Sequence, residues 1–395
     1  MKTKDTSVTK KIAVVTSCLD DWGGSEELWG KSIPHLLKKN FHVTVYKPKI
    51  NRNHREYISL AEKGVELVDL LPEVSLTTRV TNKSKDILQR GYQKLNLPGF
   101  SQHNDEPLTV HLKTCTPDLV IISQGINFDG LNFGYECAQL NIPYVIICQK
   151  AVDFYWPAPA NRSFMITTLQ QAKKCYFVSH HNHRLTEEQF GIRLPNAQVI
   201  FNPVKVSGKA ISFPSINNGY KLACIGRLFL LDKGQDILMR ILSEKKWKER
   251  PITISFVGTG PDEAGLREMA SLLKISNVEF TGQVNDIENL WQHYHAFILP
   301  SRSEGLPLSM IEAMAAGRPV IVTKAGGNAE IVEEGITGFM GQANEESFGE
   351  AMENAWNKKD EWETMGKTAS LKIAASIPTS PEKEFANYIN ELIHE

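Results

Sequence analysis

The sequence predicts an α/β protein made of two parallel-sheet domains in series. Short runs rich in β-branched residues alternate with longer helical patterns, the alternation stops once at 206–219, and it then resumes. Apolar strands bounded by turn residues and separated by helices are typical of βαβ units, whose parallel sheets are covered by helices on both faces. The interruption is rich in Ser, Gly, Pro and Asn, as connectors are. We therefore expect one domain over 1–204 and a second over 205–379.

Each domain has its own set of predicted strands. Those of the first half lie at 12–16, 42–46, 65–69, 119–123, 144–148, 174–178 and 198–201. Those of the second half lie at 222–226, 252–257, 278–281, 296–299 and 320–323. Helical patterns between them include 26–39, 128–140, 167–172, 235–243, 263–273 and 308–316. Pro34 should kink the first of these helices. The segment 380–395 predicts a helix with Ser380 as its cap and Pro381 at its first position, and it could pack back on the first domain.

Composition and charge exclude several function classes. The chain of 395 residues has a net charge of −1, so it has no global attraction to nucleic acid. Its six cysteines are scattered without a CxxC pair, which favours free thiols in a reducing compartment. No run approaches the ~18 apolar residues of a membrane span, and the short apolar stretch after the basic N-terminus continues as a strand. We expect a cytoplasmic protein.

The segment SRSEGLPLSMIEAMAAGRPVIV predicts an anion site. It follows an apolar strand and opens a helix with Pro307, whose fixed φ and missing N–H suit the first helical position. Gly305 allows close approach of the backbone to a ligand. The amide groups of Leu306 and Leu308 should then face the cleft, with the positive end of the helix dipole behind them.

Two acids accompany this anion site. Glu304 lies at its mouth, and Glu312 lies eight residues further along the helix. A carboxylate can accept two charge-assisted hydrogen bonds from the vicinal hydroxyls of a sugar or a ribose. Surface glutamates are usually solvated, but Glu312 has apolar neighbours on both sides. The pattern therefore favours hydroxyl contacts over a solvated helix face.

A second segment, CIGRLFLLDKGQD, supplies two cations. Arg227 directly follows a strand and Lys233 precedes a new helix, so the two can straddle a diphosphate. The alternative is that they pair with Asp232 and Asp236 on the surface.

Other glycine patterns are weaker. Gly23 and Gly24 permit a tight loop after the first strand, where phosphates often bind, and Ser25 can cap the helix that follows. VGTGPDEAG has Glu263 where the third glycine of GxGxxG belongs, and no GxxxxGK[ST] occurs. Neither NAD nor ATP is predicted.

Together these segments resemble the retaining glycosyltransferases of the GT-B fold, specifically glycosyltransferase family 4. The resemblance rests on Glu304 and Glu312 in EGLPLSMIE and on GRLFLLDKG, VGTGP, FTGQV, LPSRSEG and AGGNAEIV, which occur in the family's order. It is close in the C-terminal half and loose in the N-terminal half. It implies two Rossmann-like domains that face each other across a cleft, with the donor bound by the second.

The resemblance also implies a role for each site residue. Arg227 and Lys233 would bind the donor diphosphate, and with Glu304, which would hold sugar hydroxyls, they would form the catalytic group. Main-chain groups near Val284 would bind the base, and Glu312 would hold the ribose. The implied donor-binding residues are Gly23, Gly24, Val284, Gly305, Leu306, Pro307, Leu308 and Glu312.

The family transfers sugars with retention, without a protein nucleophile. The donor is expected to be a nucleotide-sugar, with a UDP-sugar favoured by family frequency, and no cofactor is expected. Since no DxD motif occurs, we expect no metal either. The acceptor would be a glycan, a lipid-linked or a small molecule, in cell-surface polysaccharide or glycoconjugate synthesis. A nucleotide-sugar epimerase or hydrolase on this fold, and a donor-binding partner without transferase activity, stay open.

The acceptor side departs from the family pattern. Many members carry a histidine after the strand preceding that side, whereas VIICQKAVDFYWP has Gln149 and Lys150 there. Either residue, or His180 in SHHNH, could contact the acceptor. Two histidines of SHHNH share a face, but no acid or cysteine nearby in sequence completes a metal site. The aromatic run 154–156 could line the acceptor cleft or simply pack.

A local basic segment extends from Arg79 to Lys94. If helical, it has an apolar side, so it could make peripheral contact with anionic lipid at the inner face of the membrane. The alternative is a solvated face over the core.

Overall fold

The computed structural model describes residues 9–18, 20–71, 107–205 and 210–395, and in these it contains two parallel sheets. The first has seven strands and the second has six. The predicted fold class, two Rossmann-like domains, is confirmed. The basic segment from Arg79 to Lys94 lies outside the described residues, so its membrane contact stays a prediction.

The first sheet takes its strands and covering helices from the N-terminal half. Its strands are β1 (Lys11–Thr16), β2 (His42–Lys47), β3 (Glu66–Asp69), β4 (Leu119–Ser123), β5 (Tyr144–Cys148), β6 (Lys174–Phe177) and β7 (Ala197–Val199). Its helices are α1 (Gly24–Lys38), α2 (Arg55–Glu62), α3 (Pro107–Cys115), α4 (Leu131–Gln139), α5 (Pro159–Gln171) and α6 (His180–Phe190).

The second sheet is built in the same way. Its strands are β8 (Tyr220–Ile225), β9 (Ile252–Val257), β10 (Val278–Gly282), β11 (Ala296–Leu299), β12 (Val320–Thr323) and β13 (Gly338–Gly341). Its larger helices are α8 (Gln235–Leu242), α10 (Glu263–Leu272), α12 (Leu308–Ala315), α14 (Glu345–Asn357) and α15 (Trp362–Ser376). The short helices are α7 (Leu230–Lys233), α9 (Lys245–Glu249), α11 (Ile287–Leu290) and α13 (Asn328–Ile331), with 3₁₀ turns at Trp291–His293 and Lys359–Glu361.

The strands lie in the order β3-β2-β1-β4-β5-β6-β7 in the first sheet and β10-β9-β8-β11-β12-β13 in the second. The central strands are apolar throughout because helices cover both faces of each sheet. Every residue of β4 and β5 is buried, because neither face of a doubly covered parallel sheet meets water. Val14 of β1 pairs with Val45 on one side and Ile121 on the other, so the centre of the sheet is a row of β-branched side chains. This arrangement leaves the carboxyl ends of the strands as the place for polar function.

The C-terminal helix α16 (Pro381–His394) packs on the first domain, although the chain reaches it from the second. Phe385 and Ile389 are buried in the core that lies beneath α1. The ring of Phe385 meets that of Tyr176 edge-on, with centroids 5.2 Å apart. Pro381 stands in the first turn as predicted, but Ser380, which occupies the cap position, makes no side-chain capping hydrogen bond.

Several helix starts differ from the sequence predictions. Helix α1 is capped at Gly23, not at Ser25: the side chain of Glu26 accepts a hydrogen bond from the Gly23 amide at 2.9 Å. Pro307 is the N-cap of α12, not its first residue. The edge strand β13, with the sequence GFMG, was missed because glycine is rare in strands. Ser179, by contrast, caps α6 through the Asn182 amide.

Among the described residues, no helix combines the length and the apolar character needed to cross a bilayer.

Candidate active site

A cleft with a volume of about 1070 Å³ lies between the two sheets. Its walls are the loops that follow β1, β2, β4 and β5 in the first domain and β8, β9, β10 and β11 in the second, so the carboxyl ends of both sheets face it. The predicted site residues among its lining are Gly23, Gly24, Lys150, Arg227, Lys233, Val284 and Glu304.

Lys233 and Glu304 form a largely buried ion pair facing this cleft. The Lys233 ammonium lies 2.6 Å from Oε1 of Glu304, which also accepts a hydrogen bond from the Ser301 hydroxyl at 2.6 Å. Gly234 holds Lys233 in place: its φ of +62° ends α7, and a Cβ there would lie 2.2 Å from the Pro300 carbonyl. A lysine so placed presents its ammonium to the cleft while its partner stays buried. Of the alternative pairings with Asp232 and Asp236, only that of Arg227 with Asp232 occurs, at 3.5 Å, whereas Asp236 binds Arg240 and Arg302.

Arg227 reaches across the cleft to the other domain. Its guanidinium donates to the carboxylate of Asp20 at 2.9 and 3.2 Å and lies 3.5 Å from Asp232. The ring of Phe229 supports the guanidinium, with its centroid 4.9 Å away. Both Arg227 and Asp20 are about half exposed, so this pair is weak and an anion of higher charge can replace Asp20.

Lys150 provides a third cation from the first domain. Its ammonium lies 3.0 Å from Asp232, which also accepts a hydrogen bond from the Ser303 hydroxyl at 3.0 Å. Burial lowers the pKa of Lys150, and the carboxylates of Asp232 and Glu304 oppose that effect. Lys150, predicted to lie on the acceptor side, therefore contacts the second domain, which is predicted to bind the donor.

The backbone around the start of α12 lies against the first domain. A Cβ on Gly305 would lie 1.9 Å from the carbonyl oxygen of Gln149, and the side chain of Leu308 lies 3.4 Å from where a Cβ on Gly24 would be. Leu306 packs on the core of the second domain. The first-turn amides of α12 have no intrahelical acceptor, as at any helix start. Of the predicted residues at 304–308, only Glu304 lines the cleft, whereas Gly305, Leu306, Pro307 and Leu308 do not.

Glu312 does not line the cleft, which differs from the expected common site of four charged residues. Its side chain is buried, and Oε1 accepts a hydrogen bond from the Lys205 amide at 3.3 Å. Burial raises the pKa of Glu312 to about 7; the nearby charge of Lys205 opposes this and that of Glu27 adds to it.

The two other acceptor-side candidates also lie outside the lining. Gln149 is buried: its amide donates to the Ser25 carbonyl at 3.2 Å, and its carbonyl accepts from the Asn202 amide at 2.8 Å. The His180 amide donates to the carboxylate of Glu330 at 3.1 Å, so it joins the two domains at the start of α6. The acceptor-side roles of Gln149 and His180 stay predictions.

Sequence reasoning missed a buried ion pair beneath the glycine loop. Glu26 and Lys47 are both fully buried, with Nζ and Oε1 3.4 Å apart. Lys47 donates to the Asp20 carbonyl at 2.7 Å, and Glu26 holds the Gly23 amide. The Gly23 amide is thus already engaged within the loop. The pair positions the loop that carries Asp20. The sequence does not predict it, because the two residues are far apart in the chain and only their burial in the structure shows that they interact.

Known proteins resemble this chain both in sequence and in fold. Residues 219–358, within the second domain, match the model of the family "Glycosyl transferases group 1". A solved structure of Alr3699/HepE from Anabaena, in complex with UDP and glucose, superposes with a TM-score of 0.72 over 97% of this chain and 100% of that one, at 16% identity. The fold is GT-B.

Curated relatives are similar over part of their length. An uncharacterised glycosyltransferase of Haemophilus influenzae is 34% identical over 122 residues, which are 30% of this chain and 34% of that protein. The O-antigen biosynthesis glycosyltransferase WbnH of Escherichia coli is 28% identical over 199 residues, 50% of this chain and 54% of that protein. The matches thus span from about a third to about half of these relatives.

Proposed function

We propose that this protein is a retaining glycosyltransferase of glycosyltransferase family 4 that uses a nucleoside-diphosphate sugar, with a UDP-sugar favoured. The observation that carries the proposal is the convergence of Arg227, Lys233 and Glu304 on one interdomain cleft. The family match in the second domain and the UDP in a protein of the same fold support it. The E. coli relative supports an acceptor in cell-surface polysaccharide synthesis, either a glycan or a lipid-linked one.

The cations act on the leaving group. A departing nucleoside diphosphate gains negative charge, and preorganised cations in a cleft stabilise that charge where it develops. Arg227 exchanges Asp20 for the diphosphate, and Lys233 lies between the diphosphate and Glu304. Among the residues that the structure describes, both hydrogen-bond donors to Glu304 bind Oε1, so Oε2 is available to accept from sugar hydroxyls.

The transfer itself proceeds on one face of the sugar. The acceptor oxygen forms a bond to the anomeric carbon as the bond from that carbon to the phosphate oxygen breaks, and the acceptor's proton passes to the departing phosphate. No protein nucleophile and no metal takes part. The charges of Arg227 and Lys233 replace those that a divalent cation supplies in other transferases.

The test begins with the donor. We expect UDP or another nucleoside diphosphate to raise the melting temperature of the full chain, since a ligand of the native state stabilises it by mass action. Lys233→Ala and Glu304→Ala should each lower sugar transfer by roughly 100-fold or more. Each leaves a largely buried partner unpaired, so the melting temperature should fall as well, and cooperative unfolding checks that the variant still folds. Lys367→Ala, which removes a lysine from an exposed ion pair on α15, is the matched control and should keep full activity.

Two further measurements test the finer parts of the proposal. Transfer should persist in EDTA, and an obligatory divalent cation would refute the metal-independent step. NMR of the product should show the anomeric configuration of the donor, and the opposite configuration would refute retention. Stabilisation by nucleotide-sugars without any transfer would instead support a donor-binding partner protein.

A further inference from the structure

Three consecutive aromatic side chains project into solvent from the loop after β5. Phe154, Tyr155 and Trp156, here called the aromatic loop, are 61%, 56% and 60% exposed. Sequence alone left open whether they line a site or pack, and the structure shows that they do not pack into the core. Aromatic rings usually bury most of their surface, so three exposed neighbours indicate a surface that binds a ligand.

Buried polar side chains hold the backbone of the aromatic loop in place. The side-chain amide of Gln189 donates to the carbonyls of Val152 at 2.8 Å and Tyr155 at 3.0 Å. The side-chain amide of Asn127 donates to the same Tyr155 carbonyl at 3.1 Å. Gln189 and Asn127 are both buried. Because buried side chains fix the backbone while the three rings stay exposed, the loop is preorganised for binding.

The aromatic loop is continuous with the interdomain cleft. Phe128 lines the cleft, and its ring stacks on that of Tyr155 with centroids 5.9 Å apart and planes 15° apart. The backbone N–H of Asn127 donates to the carbonyl of Lys150 at 2.7 Å, so the residue that holds the Tyr155 carbonyl is also bound to the cleft wall. A chain of sugar rings that ends in the cleft would therefore pass over these aromatic faces.

Carboxylates flank the aromatic faces. Asp129 lines the cleft beside Phe128, and desolvation raises its pKa. Asp153 precedes the aromatic loop and is mostly exposed, with Nε2 of His181 3.9 Å from its carboxylate. A pyranose ring offers C–H groups to the negative face of an aromatic ring and hydroxyls to a carboxylate. Anionic lipid would be repelled by the same two carboxylates, so the charges favour a saccharide over a membrane.

We propose that the aromatic loop, with Asp129, binds a sugar ring of the acceptor, so that the acceptor is a saccharide and not a small aglycone. The inference rests on the proposed transferase function and adds the class of its acceptor. Trp156 provides the outer stacking face, Tyr155 and Phe128 connect it to the cleft, and Asp129 accepts hydrogen bonds from ring hydroxyls nearest the transferred sugar.

The experiment measures binding of the full-length protein, with saturating UDP, to an array of bacterial oligosaccharides and polysaccharides. We expect wild type to bind a subset of glycans. Trp156→Ala should weaken that binding about tenfold, and Asp129→Asn should weaken it as well, while Trp156→Phe stays within about threefold of wild type. Leu272→Ala, which truncates an exposed apolar side chain on α10, is the control and should bind like wild type.

Other outcomes overturn the inference. It is wrong if no glycan binds, or if the glycans bound by wild type bind Trp156→Ala equally well. Binding to vesicles of phosphatidylcholine and phosphatidylglycerol is measured separately. If Trp156→Ala abolishes vesicle binding and leaves glycan binding unchanged, the loop binds the membrane and the inference is wrong. The UDP-induced rise in melting temperature should be equal in all variants. If UDP does not raise the melting temperature of wild type, that result counts against the proposed function. If UDP does raise it but glycan binding does not depend on the aromatic loop, only this inference is rejected.

Discussion

Replacing Gly305 by alanine tests whether the two domains must approach as closely as they do here. The new Cβ would lie 1.9 Å from the Gln149 carbonyl oxygen and 3.0 Å from a methyl group of Val178, both in the other domain. Because the nearest atom belongs to the backbone, no side-chain rotation relieves the clash. The second domain must therefore withdraw by about 1 Å at this point, or the loop must distort at a cost of about 1–3 kcal/mol.

That displacement should affect turnover more than stability. A shift of about 1 Å in the relative position of reacting groups can lower a rate about 100-fold, and Gly305 adjoins Glu304. The core of each domain lies away from the contact, so the melting temperature should change little. Initial rates of sugar transfer and thermal unfolding with and without UDP measure the two effects separately.

Gly265→Ala is the matched control for this substitution. Gly265 lies within α10, and a Cβ there meets no atom within 4 Å. Alanine should stabilise that helix by about 1 kcal/mol and leave activity unchanged. If Gly305→Ala turned over at nearly the wild-type rate, the close contact between Gly305 and Gln149 would not be part of the active arrangement, and the reasoning would be refuted.

Three further predictions concern a buried acid, the C-terminal helix and the ion pair across the cleft. Burial raises the pKa of Glu312 from 4.5 to about 7, so its ionisation lowers the free energy of unfolding as the pH rises through that interval. Glu312→Gln should therefore add about 3 kcal/mol to the free energy of unfolding at pH 8 and nothing at pH 4. An equal gain at both pH values would contradict this. Phe385→Ala should lower that free energy by about 3–5 kcal/mol in urea unfolding, whereas exposed Leu371→Ala should change it by less than about 0.5 kcal/mol. Asp20→Asn should tighten UDP binding a few-fold in calorimetry by releasing Arg227, and unchanged or weaker binding would show that Asp20 does not compete with the nucleotide.

Strand positions were predictable wherever strands are central and fully buried. The runs LVIIS and YVIIC have no polar interior, and the structure contains both as strands. Helix starts were less predictable, because a cap depends on which side chain reaches the first free amides. At α1 the side chain of Glu26 does so, which left the predicted cap, Ser25, inside the helix.

The candidate site was predictable in part for the same reason. Arg227, Lys233 and Glu304 each lie close after a strand, and parallel strands bring their carboxyl ends to one edge. Glu312 was expected beside them, but the intervening chain changes from loop to helix at Leu308, so a sequence spacing does not determine which way the later side chain points. In the structure it points into a buried contact with Lys205.

The sequence by itself determined the two sheets, the loops at their carboxyl ends and the charged residues those loops carry, because hydrophobic periodicity and turn chemistry act over a few residues. Only the tertiary structure decided how these groups pair: Arg227 with Asp20 and Lys150 with Asp232. Each of these contacts joins groups far apart in the chain, and each depends on how one folded domain lies against the other. That placement is set by the shapes and charges of whole surfaces, which no local pattern encodes.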